Sequence, residues 1–569
     1  VPAGGGTCTI VITFTAQIPY PMSAYLRVQY FWKDAAKYKF VIHGLSGAGV
    51  APAILSGPES FDYGELSVGS STPKSFVFTN WTDDPVTLGD LSNAGAGLAP
   101  PFSASGSCTT AGSVAPNGGQ CTLVVSFAPT VIGDASDELT FRYRFAGSDA
   151  EQMITRTLRG TGGAPDSVVS LSAGNDTTCA VLASGNLRCW GGHSAYGQLG
   201  YGNIEPIGDD EWPAVAGNVD VGGSVAQVAA GEMHTCARLT TGTVRCWGWG
   251  GTGSLGYGNE NAIGDDEPPS SAGDVRVGGP VTQIATAHHT CALLSNGAVR
   301  CWGYSEYGRL GYPGVQSVGV ATHPESAGDV DVGGAVAQIA LGERHTCALL
   351  VGGAVRCWGS NFNGQLGYGF VRDVGDDETP ATVGDVNVGG RVTQIAAGNS
   401  HTCALLSTGA VRCWGMSQRG QLGYGDTRTL GDDETPADVG DVPVGGTVRA
   451  IAAGGVHTCA LLSTGNVRCW GYAEFGQLGY GNRDDIGNDE PASAGGDVDV
   501  GGSVQQIVTG GAHTCALLSG GRVRCWGKNA ENPNLCRPSG STCGNLGYAH
   551  LENIGDNELP KDAGDVLVR

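Results

Sequence analysis

The chain has 569 residues, 96 of them glycine, and a formal net charge of −23 with only 15% charged residues. Nucleic acids and anionic membranes need clustered Lys and Arg in a partner, so this balance disfavours both. No stretch approaches the roughly 18 consecutive apolar residues of a membrane span, and no signal peptide is recognisable. Short Val- and Thr-rich segments broken by Gly predict an all-β fold with many turns.

Residues 1–52 predict the C-terminal half of an immunoglobulin-like domain. The segment around Cys8 repeats the one around Cys121, and both run on to a Gly/Ala/Pro-rich end. Cys121 has an upstream neighbour, Cys108, with which we expect a disulfide, whereas Cys8 has no such neighbour. We therefore expect upstream domains of the same protein to precede Val1. A free-standing hairpin with a lone thiol is the alternative.

Residues 53–163 predict a complete immunoglobulin-like β-sandwich. They contain Phe61-Asp-Tyr-Gly, Ser75-Phe-Val-Phe-Thr-Asn and Cys121-Thr-Leu-Val-Val-Ser-Phe-Ala-Pro, and they close with Leu158-Arg-Gly-Thr-Gly. These segments resemble the bacterial modules grouped with choice-of-anchor D and Hydin-type domains. That resemblance implies a stalk or spacer.

Residues 164–569 contain seven copies of a unit best seen as His401-Thr-Cys-Ala-Leu-Leu-Ser-x-Gly-x-Val-Arg-Cys-Trp-Gly. Successive copies lie 55 to 57 residues apart, which predicts a repeat array whose units do not fold alone. Each unit carries two cysteines ten residues apart. These pairs are Cys179 with Cys189, Cys236 with Cys246, Cys291 with Cys301, Cys347 with Cys357, Cys403 with Cys413, Cys459 with Cys469, and Cys515 with Cys525.

The paired cysteines favour a disulfide in every unit. A strand, a Gly-containing turn and a second strand place Cys403 opposite Cys413, within disulfide reach. Buried free thiols and a metal site are the alternatives, although one Cys pair cannot complete a zinc tetrahedron. Disulfides at this density predict an oxidising compartment: the cell surface, the medium or the periplasm.

Four short strands per unit predict a seven-bladed β-propeller. The first three are the Val-x-Gln-Ile-Ala, His-Thr-Cys-Ala and Val-Arg-Cys-Trp segments, and the fourth is Gly-Asp-Val-x-Val. The chain ends on Gly-Asp-Val-Leu-Val-Arg569, where a further copy would continue with the segment found at Ser167. We therefore expect a closed ring in which one blade is completed by strands from both ends of the array.

The combination of Gly-x-x-His-Thr, Trp-Gly and Gly-Gln-Leu-Gly-x-Gly resembles the regulator-of-chromosome-condensation repeat family, whose members form seven-bladed propellers. The family's founding activity is nucleotide exchange on a nuclear small GTPase, a setting that disulfide-dense, acidic blades match poorly. Other propellers of this kind are secreted and bind proteins, including inhibitors of β-lactamases. The fold by itself does not select among these functions.

Two residue types of the unit invite a chemical role but predict a structural one. Six equivalent histidines spread around a ring cannot converge on one catalytic site, so we expect each to bond a neighbouring turn within its blade. Arg412 and Trp414 have counterparts in every unit, and we expect Trp packing between blades with the Arg stem alongside. A ring of aromatic ligand sites is the alternative.

Acidic loops are the candidate metal sites. Carboxylate oxygens on a turn suit calcium, although Asp and Asn also stabilise turns by themselves. Calcium is the only cofactor that the sequence suggests, and nothing in the sequence requires one. The candidate ligands are Asp209, Asp210, Glu211, Asp265, Asp266, Glu267, Asp376, Asp377, Glu378, Asp432, Asp433, Glu434, Asp489, Glu490, Asp556 and Glu558.

Recognition is expected where the copies differ. The seventh copy carries an insertion between Lys528 and Cys543, for which we predict a disulfide between Cys536 and Cys543. A pinned loop on a rigid ring is a natural recognition element, and a tolerated surface insertion is the alternative. The candidate binding set consists of Arg537 in this insertion and of aromatic side chains near the matching loops of other copies: Tyr196, Trp249, Tyr307, Phe362 and Phe475.

The sequence therefore predicts a secreted or surface protein with a propeller head on an immunoglobulin-like stalk. Its expected work is binding or adhesion to a protein or glycan. A structural subunit of an extracellular assembly and a secreted enzyme inhibitor are the alternatives. No asymmetric set of reactive groups is visible, so an enzyme is not expected.

Overall fold

The computed structural model describes residues 21–30, 39–48, 54–55, 60–68, 71–80, 82–89, 98–110, 112–131, 133–148, 150–163, 166–192, 195–530 and 543–569. The chain divides into two compact units, Val1–Pro165 and Asp166–Arg569. In the described part of the chain, no helix has the length and apolar character of a membrane-spanning segment.

The first unit begins with a two-stranded antiparallel ladder of β1 (Pro21–Tyr30) and β2 (Lys39–Ala48). The half-domain predicted for residues 1–52 otherwise lies outside the described residues, and so does Cys8.

A two-sheet sandwich follows, as the sequence predicts for residues 53–163. One sheet has the order β4 (Ser60–Ser67), β11 (Glu151–Gly163), β10 (Gly133–Phe145), β6 (Val86–Leu88), β8 (Ser113–Val114). The other has the order β3 (Ile54–Leu55), β5 (Thr72–Asn80), β9 (Gly119–Phe127), β7 (Phe102–Ser105), and one helical turn, α1 (Ser107–Thr110), precedes β8.

Strict alternation along β9 builds the core of the sandwich. Leu123, Val125 and Phe127 are fully buried, in one core with Phe76 of the neighbouring strand β5 and Phe141 of the opposite sheet, while the residues between them are partly exposed. This period of two is what one buried sheet face demands. The predicted disulfide between Cys108 and Cys121 is present beside this core.

The second unit is a ring of seven sheets, here called blades 1 to 7 in chain order. Each blade has an inner, a middle and an outer strand. In that order they are β12 (Val168–Ala173), β13 (Thr177–Leu182), β14 (Leu187–Gly191); β15 (Val225–Ala230), β16 (His234–Leu239), β17 (Val244–Gly248); β18 (Val281–Thr286), β19 (Thr290–Leu294), β20 (Val299–Tyr304); β22 (Val336–Leu341), β23 (His345–Leu350), β24 (Val355–Gly359); β25 (Val392–Ala397), β26 (His401–Leu406), β27 (Val411–Gly415); β28 (Val448–Ala453), β29 (His457–Leu462), β30 (Val467–Gly471); β31 (Val504–Thr509), β32 (His513–Leu518), β33 (Arg522–Gly527).

Short elements decorate this ring. Blade 3 adds β21 (Ser317–Val318) to its sheet. Single helical turns precede the end of several repeats at α2 (Pro213–Ala216), α3 (Pro324–Ala327), α4 (Pro380–Val383) and α5 (Pro436–Val439), with 3-10 turns at Gly251–Gly253, Pro269–Ala272 and Glu306–Gly308.

The predicted fourth strand is not a regular strand. In blade 5, the Val442 N–H donates to the Val411 carbonyl at 2.8 Å, and then the Val444 N–H turns back to bond the Val442 carbonyl. The segment therefore leaves the ladder after one hydrogen bond, although both valines are buried. The Val-x-Val alternation correctly indicates burial, but the local turn ends the pairing.

The ring closes differently from the sequence prediction. Among the described residues, every propeller sheet is built from one contiguous stretch of chain, and none is shared between the two ends of the array. Closure comes instead from blade 7 packing against blade 1, where the Gln506 side chain donates to the Leu171 carbonyl and accepts its N–H at 3.0 and 2.9 Å. Each repeat starts on the inner strand of its own blade, so each sheet is formed by one repeat. The ring therefore closes by contact between two complete blades, blade 7 and blade 1.

The Gln506 contact belongs to a series of amide bridges between neighbouring inner strands. One side-chain amide takes the place of a backbone peptide and bonds both polar groups of a residue on the next blade. The same double hydrogen bond joins Gln227 to Ile284, Gln283 to Ile339, Gln338 to Ile395 and Gln394 to Ile451.

The predicted cysteine pairs of the seven blades are all disulfide-bonded, each across the middle and outer strands. Cys403 and Cys413 are register partners with Cα atoms 4.1 Å apart. The other six bonds join Cys179 to Cys189, Cys236 to Cys246, Cys291 to Cys301, Cys347 to Cys357, Cys459 to Cys469, and Cys515 to Cys525.

These seven disulfides share one geometry. The Cα separations of the six further pairs are 4.0–4.1 Å, and all fourteen cysteines are fully buried. Each blade therefore has one buried disulfide, here called the clip, that joins its middle and outer strands. The alternatives of free thiols and metal ligands do not apply to these cysteines.

Candidate functional site

The repeated histidines are buried structural links between blades. His401 Nε2 lies 2.9 Å from Thr458 Oγ1 of the next blade, and that hydroxyl donates to the Gln421 carbonyl at 2.8 Å. The expectation of a bond within one blade is therefore wrong, because the next blade supplies the partner. The equivalent pairs are His234–Thr290, His289–Thr346, His345–Thr402, His457–Thr514 and His513–Thr178.

This arrangement fixes which ring nitrogen donates. The Thr458 hydroxyl donates its hydrogen to the Gln421 carbonyl, so His401 Nε2 is the donor to Thr458 Oγ1. Burial lowers the pKa of His401 and His513 to about 4, and that of His234, His345 and His457 to about 3. These neutral, buried groups serve the scaffold.

Each repeated arginine ties two blades together at their outer edge. Arg412 Nε donates to Asp441 of its own blade at 2.8 Å, and Nη1 donates to the Val388 carbonyl of the preceding blade at 2.7 Å. In blade 1, Arg188 reaches the Val568 carbonyl in the same way and so joins the two ends of the ring. The repeated tryptophans are fully buried in every blade, which leaves these rings no surface for an aromatic ligand site.

The acidic loops begin with a glycine whose carbonyl accepts a backbone hydrogen bond from the previous blade. The Gly369 N–H donates to the Gly431 carbonyl at 3.1 Å. Gly431 has a φ of +92°, and a Cβ there would lie 2.4 Å from the Gly364 carbonyl oxygen. Glycine is therefore required at the start of Gly-Asp-Asp-Glu by the close approach of two backbones.

Four of these loops gather three carboxylates each. In the loops at 209–211, 265–267, 376–378 and 432–434, one oxygen from each residue lies within 4.8 Å of the others. Burial and the neighbouring aspartates raise the pKa of Glu211 to about 8 and that of Glu267 and Glu434 to about 7. Such crowding would be relieved by a cation, and calcium binding at these loops stays a prediction.

The structure distributes the predicted aromatic residues over separate clusters. Tyr196 and Trp249 of blades 1 and 2 have ring centroids 6.5 Å apart. Phe475 of blade 6 packs against Tyr472, and the Lys528 ammonium lies 5.6 Å from the Phe475 ring centroid.

The third cluster lines a groove of about 630 Å³ on blades 3 to 5, here called the blade-4 groove. Phe362 is 83% exposed beside it, and the groove also contains Tyr307, Arg344, Val371 and Arg372. Tyr307 holds a left-handed backbone with φ of 60°, and the Arg344 guanidinium lies 5.6 Å from its ring centroid. A bulky residue in this conformation is strained, and such strain is typical of functional loops.

Sequence reasoning missed part of this groove. Arg344, Val371 and Arg372 lie at positions where the copies differ, in the turn before His345 and in the loop after Gly367. A copy-by-copy comparison could have found them, since no other copy combines two arginines with exposed apolar side chains there.

The seventh-copy insertion is only partly described. Residues 531–542, with Cys536 and Arg537, lie outside the described residues. Cys543 is fully buried and disulfide-bonded, and the bond predicted between Cys536 and Cys543 stays a prediction.

Comparison with known proteins agrees with this architecture. A family model described as the regulator of chromosome condensation (RCC1) repeat matches all seven blades, at residues 168–198, 225–254, 285–309, 336–365, 392–421, 448–477 and 504–532. The chain is 31% identical over 369 residues to the ultraviolet-B receptor UVR8 of Arabidopsis thaliana, covering 64% of this chain and 78% of that protein. The chain belongs to the RCC1 repeat family.

Other parts and relatives extend this placement. Residues 53–160 match a HYDIN/CFA65/VesB-like, Ig-like domain. The chain is 30% identical over 354 residues to the human E3 ubiquitin-protein ligase HERC2, covering 61% of this chain but only 7% of that protein. Among solved structures, Prp20p from Saccharomyces cerevisiae matches with a TM-score of 0.50 and 21% identity, covering 69% of this chain and 87% of that one. Prp20p is described with binding properties to Gsp1p and histones, and at this identity the likeness concerns the fold alone.

Proposed function

We propose that this chain is an extracellular protein-binding module whose partner docks on one face of the propeller, with the blade-4 groove as its centre. This face, here called the loop face, is formed by the turns between inner and middle strands and by the loops that follow the outer strands. The observation that carries the proposal is Phe362, a large apolar side chain 83% exposed beside a groove of about 630 Å³. Three neighbouring apolar side chains are also exposed: Tyr304 and Tyr307 of blade 3, and Val371 of blade 4. Clustered apolar side chains with arginines at their edge are typical of interface anchors.

The repeat supports a binding role rather than a catalytic one. The imidazoles of blades 2 to 7 and the cysteines of every blade are buried and bonded within the scaffold. What varies between blades is the loop face. A rigid ring that presents variable loops suits recognition.

The proposed compartment rests on the disulfides. Eight pairs are formed among the described cysteines, one in the sandwich and one in every blade. Structural disulfides persist outside the cytosol, so we propose the cell surface, the medium or the periplasm. In this proposal the immunoglobulin-like domain acts as a spacer.

Affinity capture with matched variants tests the proposal. The wild-type chain is immobilised beside Phe362→Ala and beside Val215→Ala, which removes an exposed apolar side chain of blade 1. A purified partner should bind the Phe362 variant at least tenfold more weakly and the Val215 variant equally well. A partner that binds all three chains alike would place the docking surface elsewhere and overturn the proposal.

The same experiment separates the finer functions. A glycan array bound by the wild-type chain and not by Phe362→Ala would indicate glycan recognition or adhesion. Filaments in negative-stain micrographs would indicate a structural subunit. Capture of a secreted hydrolase together with loss of its activity would indicate an inhibitor.

A further inference from the structure

The mouth of the central channel breaks the sevenfold pattern of the propeller. The turns between inner and middle strands surround a cavity of about 210 Å³, and the second residue after each inner strand lines it. Around the ring these positions are Asn175, Glu232, His288, Glu343, Asn399, Gly455 and Gly511. Only blades 2, 3 and 4 carry ionisable residues at these seven described positions, and they are neighbours.

The three ionisable side chains converge. His288 Nε2 is within hydrogen-bond distance of a Glu232 carboxylate oxygen and lies 3.8 Å from Glu343 Oε1. All three side chains are about two-thirds buried, at 33%, 31% and 28% exposure. The Glu232 N–H donates to the Ala287 carbonyl at 3.3 Å, so two of the turns are fixed relative to each other by the backbone.

We propose that Glu232, His288 and Glu343 bind a divalent transition-metal ion, with Zn²⁺ the best match. Zinc takes one imidazole nitrogen and carboxylate oxygens at about 2.0–2.2 Å, which sets tetrahedral ligand atoms roughly 3.3 Å apart. The 3.8 Å separation between His288 and Glu343 is close to that value. Three protein ligands leave one of the four usual coordination positions of zinc for water or another ligand.

Metal binding would require a small movement of Glu343. The three donor atoms do not all lie within 4.8 Å of one another, so the ion must draw the two carboxylates together across the imidazole. Glu343 Oε1 now contacts Arg344 Nε at 3.1 Å, and this ion pair is weak because the Arg344 side chain is half exposed to solvent. The free energy lost when this ion pair breaks is small compared with the free energy gained by forming a metal–ligand bond.

The ligand set distinguishes this site from the acidic loops. Those loops offer only carboxylate oxygens, which suit calcium. An imidazole between two carboxylates favours zinc or its neighbours in the first transition row. Cobalt(II) reports on such a site because its visible absorption depends on coordination.

Cobalt and zinc titrations of the EDTA-treated full chain test the proposal, in buffer with millimolar Ca²⁺ to occupy the carboxylate loops. We expect one Co²⁺ per chain, displaced by Zn²⁺, with affinity falling at least tenfold in His288→Asn and Glu343→Gln. Asparagine is the natural residue at Asn399 of blade 5, so the first variant should fold, and far-UV circular dichroism verifies this. The exposed His550→Ala is the matched control and should bind as the wild type does. Absence of Co²⁺ and Zn²⁺ binding, or undiminished binding by His288→Asn, would overturn the proposal.

Discussion

Replacing His401 with Gln should change the pH dependence of stability by a predictable amount. His401 is fully buried and neutral, and burial lowers its pKa to about 4 from the usual value of 6.5. On acidification the unfolded chain therefore binds a proton before the folded chain does, and folding stability falls below pH 6.5. Integrating this difference from pH 7 to pH 5 gives a loss of about 1.8 kcal/mol for His401 alone.

Glutamine at this position keeps a donor for Thr458 but has no proton to gain. The variant should be about 1–3 kcal/mol less stable than the wild type at pH 7 because the ring packing is lost. The gap should then narrow by about 1.8 kcal/mol at pH 5. The assay is urea unfolding of both chains, with disulfides intact, at half-unit pH intervals.

The difference between variants is needed because other groups act in the opposite sense. The raised pKa of Glu434 means that the folded chain gains a proton first there, so acidification favours folding at that loop. Asn399→Gln, a nearby exposed and non-ionisable position, is the control and should show a constant gap. A gap for His401→Gln that also stays constant from pH 7 to pH 5 would refute the neutral, buried imidazole.

Three further predictions concern the scaffold and its loops. Blade 6 has Ala450 where five other blades have the bridging Gln. The substitution Ala450→Gln should bond Ile507 and raise the free energy of unfolding, measured with urea, by about 1 kcal/mol. An unchanged free energy of unfolding would contradict a stabilising role for the bridge. Joint replacement of Cys403 and Cys413 by Ala should cost about 2–3 kcal/mol by the loop-entropy model, and an unchanged unfolding midpoint would show that the clip is dispensable. Calcium added to EDTA-stripped protein should raise its melting temperature, and the increase should be smaller in the double variant Asp432→Asn, Asp433→Asn. An unchanged melting temperature of the wild-type chain would contradict calcium binding at the acidic loops.

The sequence predicts what is local and repeated. The period of two along each strand and the ten-residue spacing place Cys403 opposite Cys413 without any knowledge of the neighbouring blades. The burial of Val442 and Val444 follows from the same alternation. Seven copies of one pattern then leave little choice of architecture.

What depends on the packing of one blade against the next could not be predicted. His401 finds its partner at Thr458, 57 residues further along the chain, and the Arg412–Val388 contact runs 24 residues back. Both contacts depend on the stagger between blades, which no single repeat encodes. The predicted closure of the ring is wrong for a different reason: each repeat starts on the inner strand of its own blade, so no sheet is shared between the two ends of the array.

For the proposed docking surface, the sequence indicates individual residues but not how they group in space. Tyr307 and Phe362 could be chosen because they are aromatic side chains on the loops that match the seventh-copy insertion. Their grouping with Val371 in one groove, apart from Tyr196 and Trp249, depends on loop conformation. The left-handed backbone at Tyr307 has no sequence signature, since tyrosine seldom adopts it.

Site-specific photocrosslinking tests the proposed docking surface most directly. A photoreactive phenylalanine analogue is placed at Phe362 in one chain and at Val215 in another, and each chain is irradiated in the presence of the captured partner. We predict a crosslinked product from position 362 and none from position 215. Crosslinking from position 215 alone, or equally from both positions, would contradict a partner seated on the blade-4 groove.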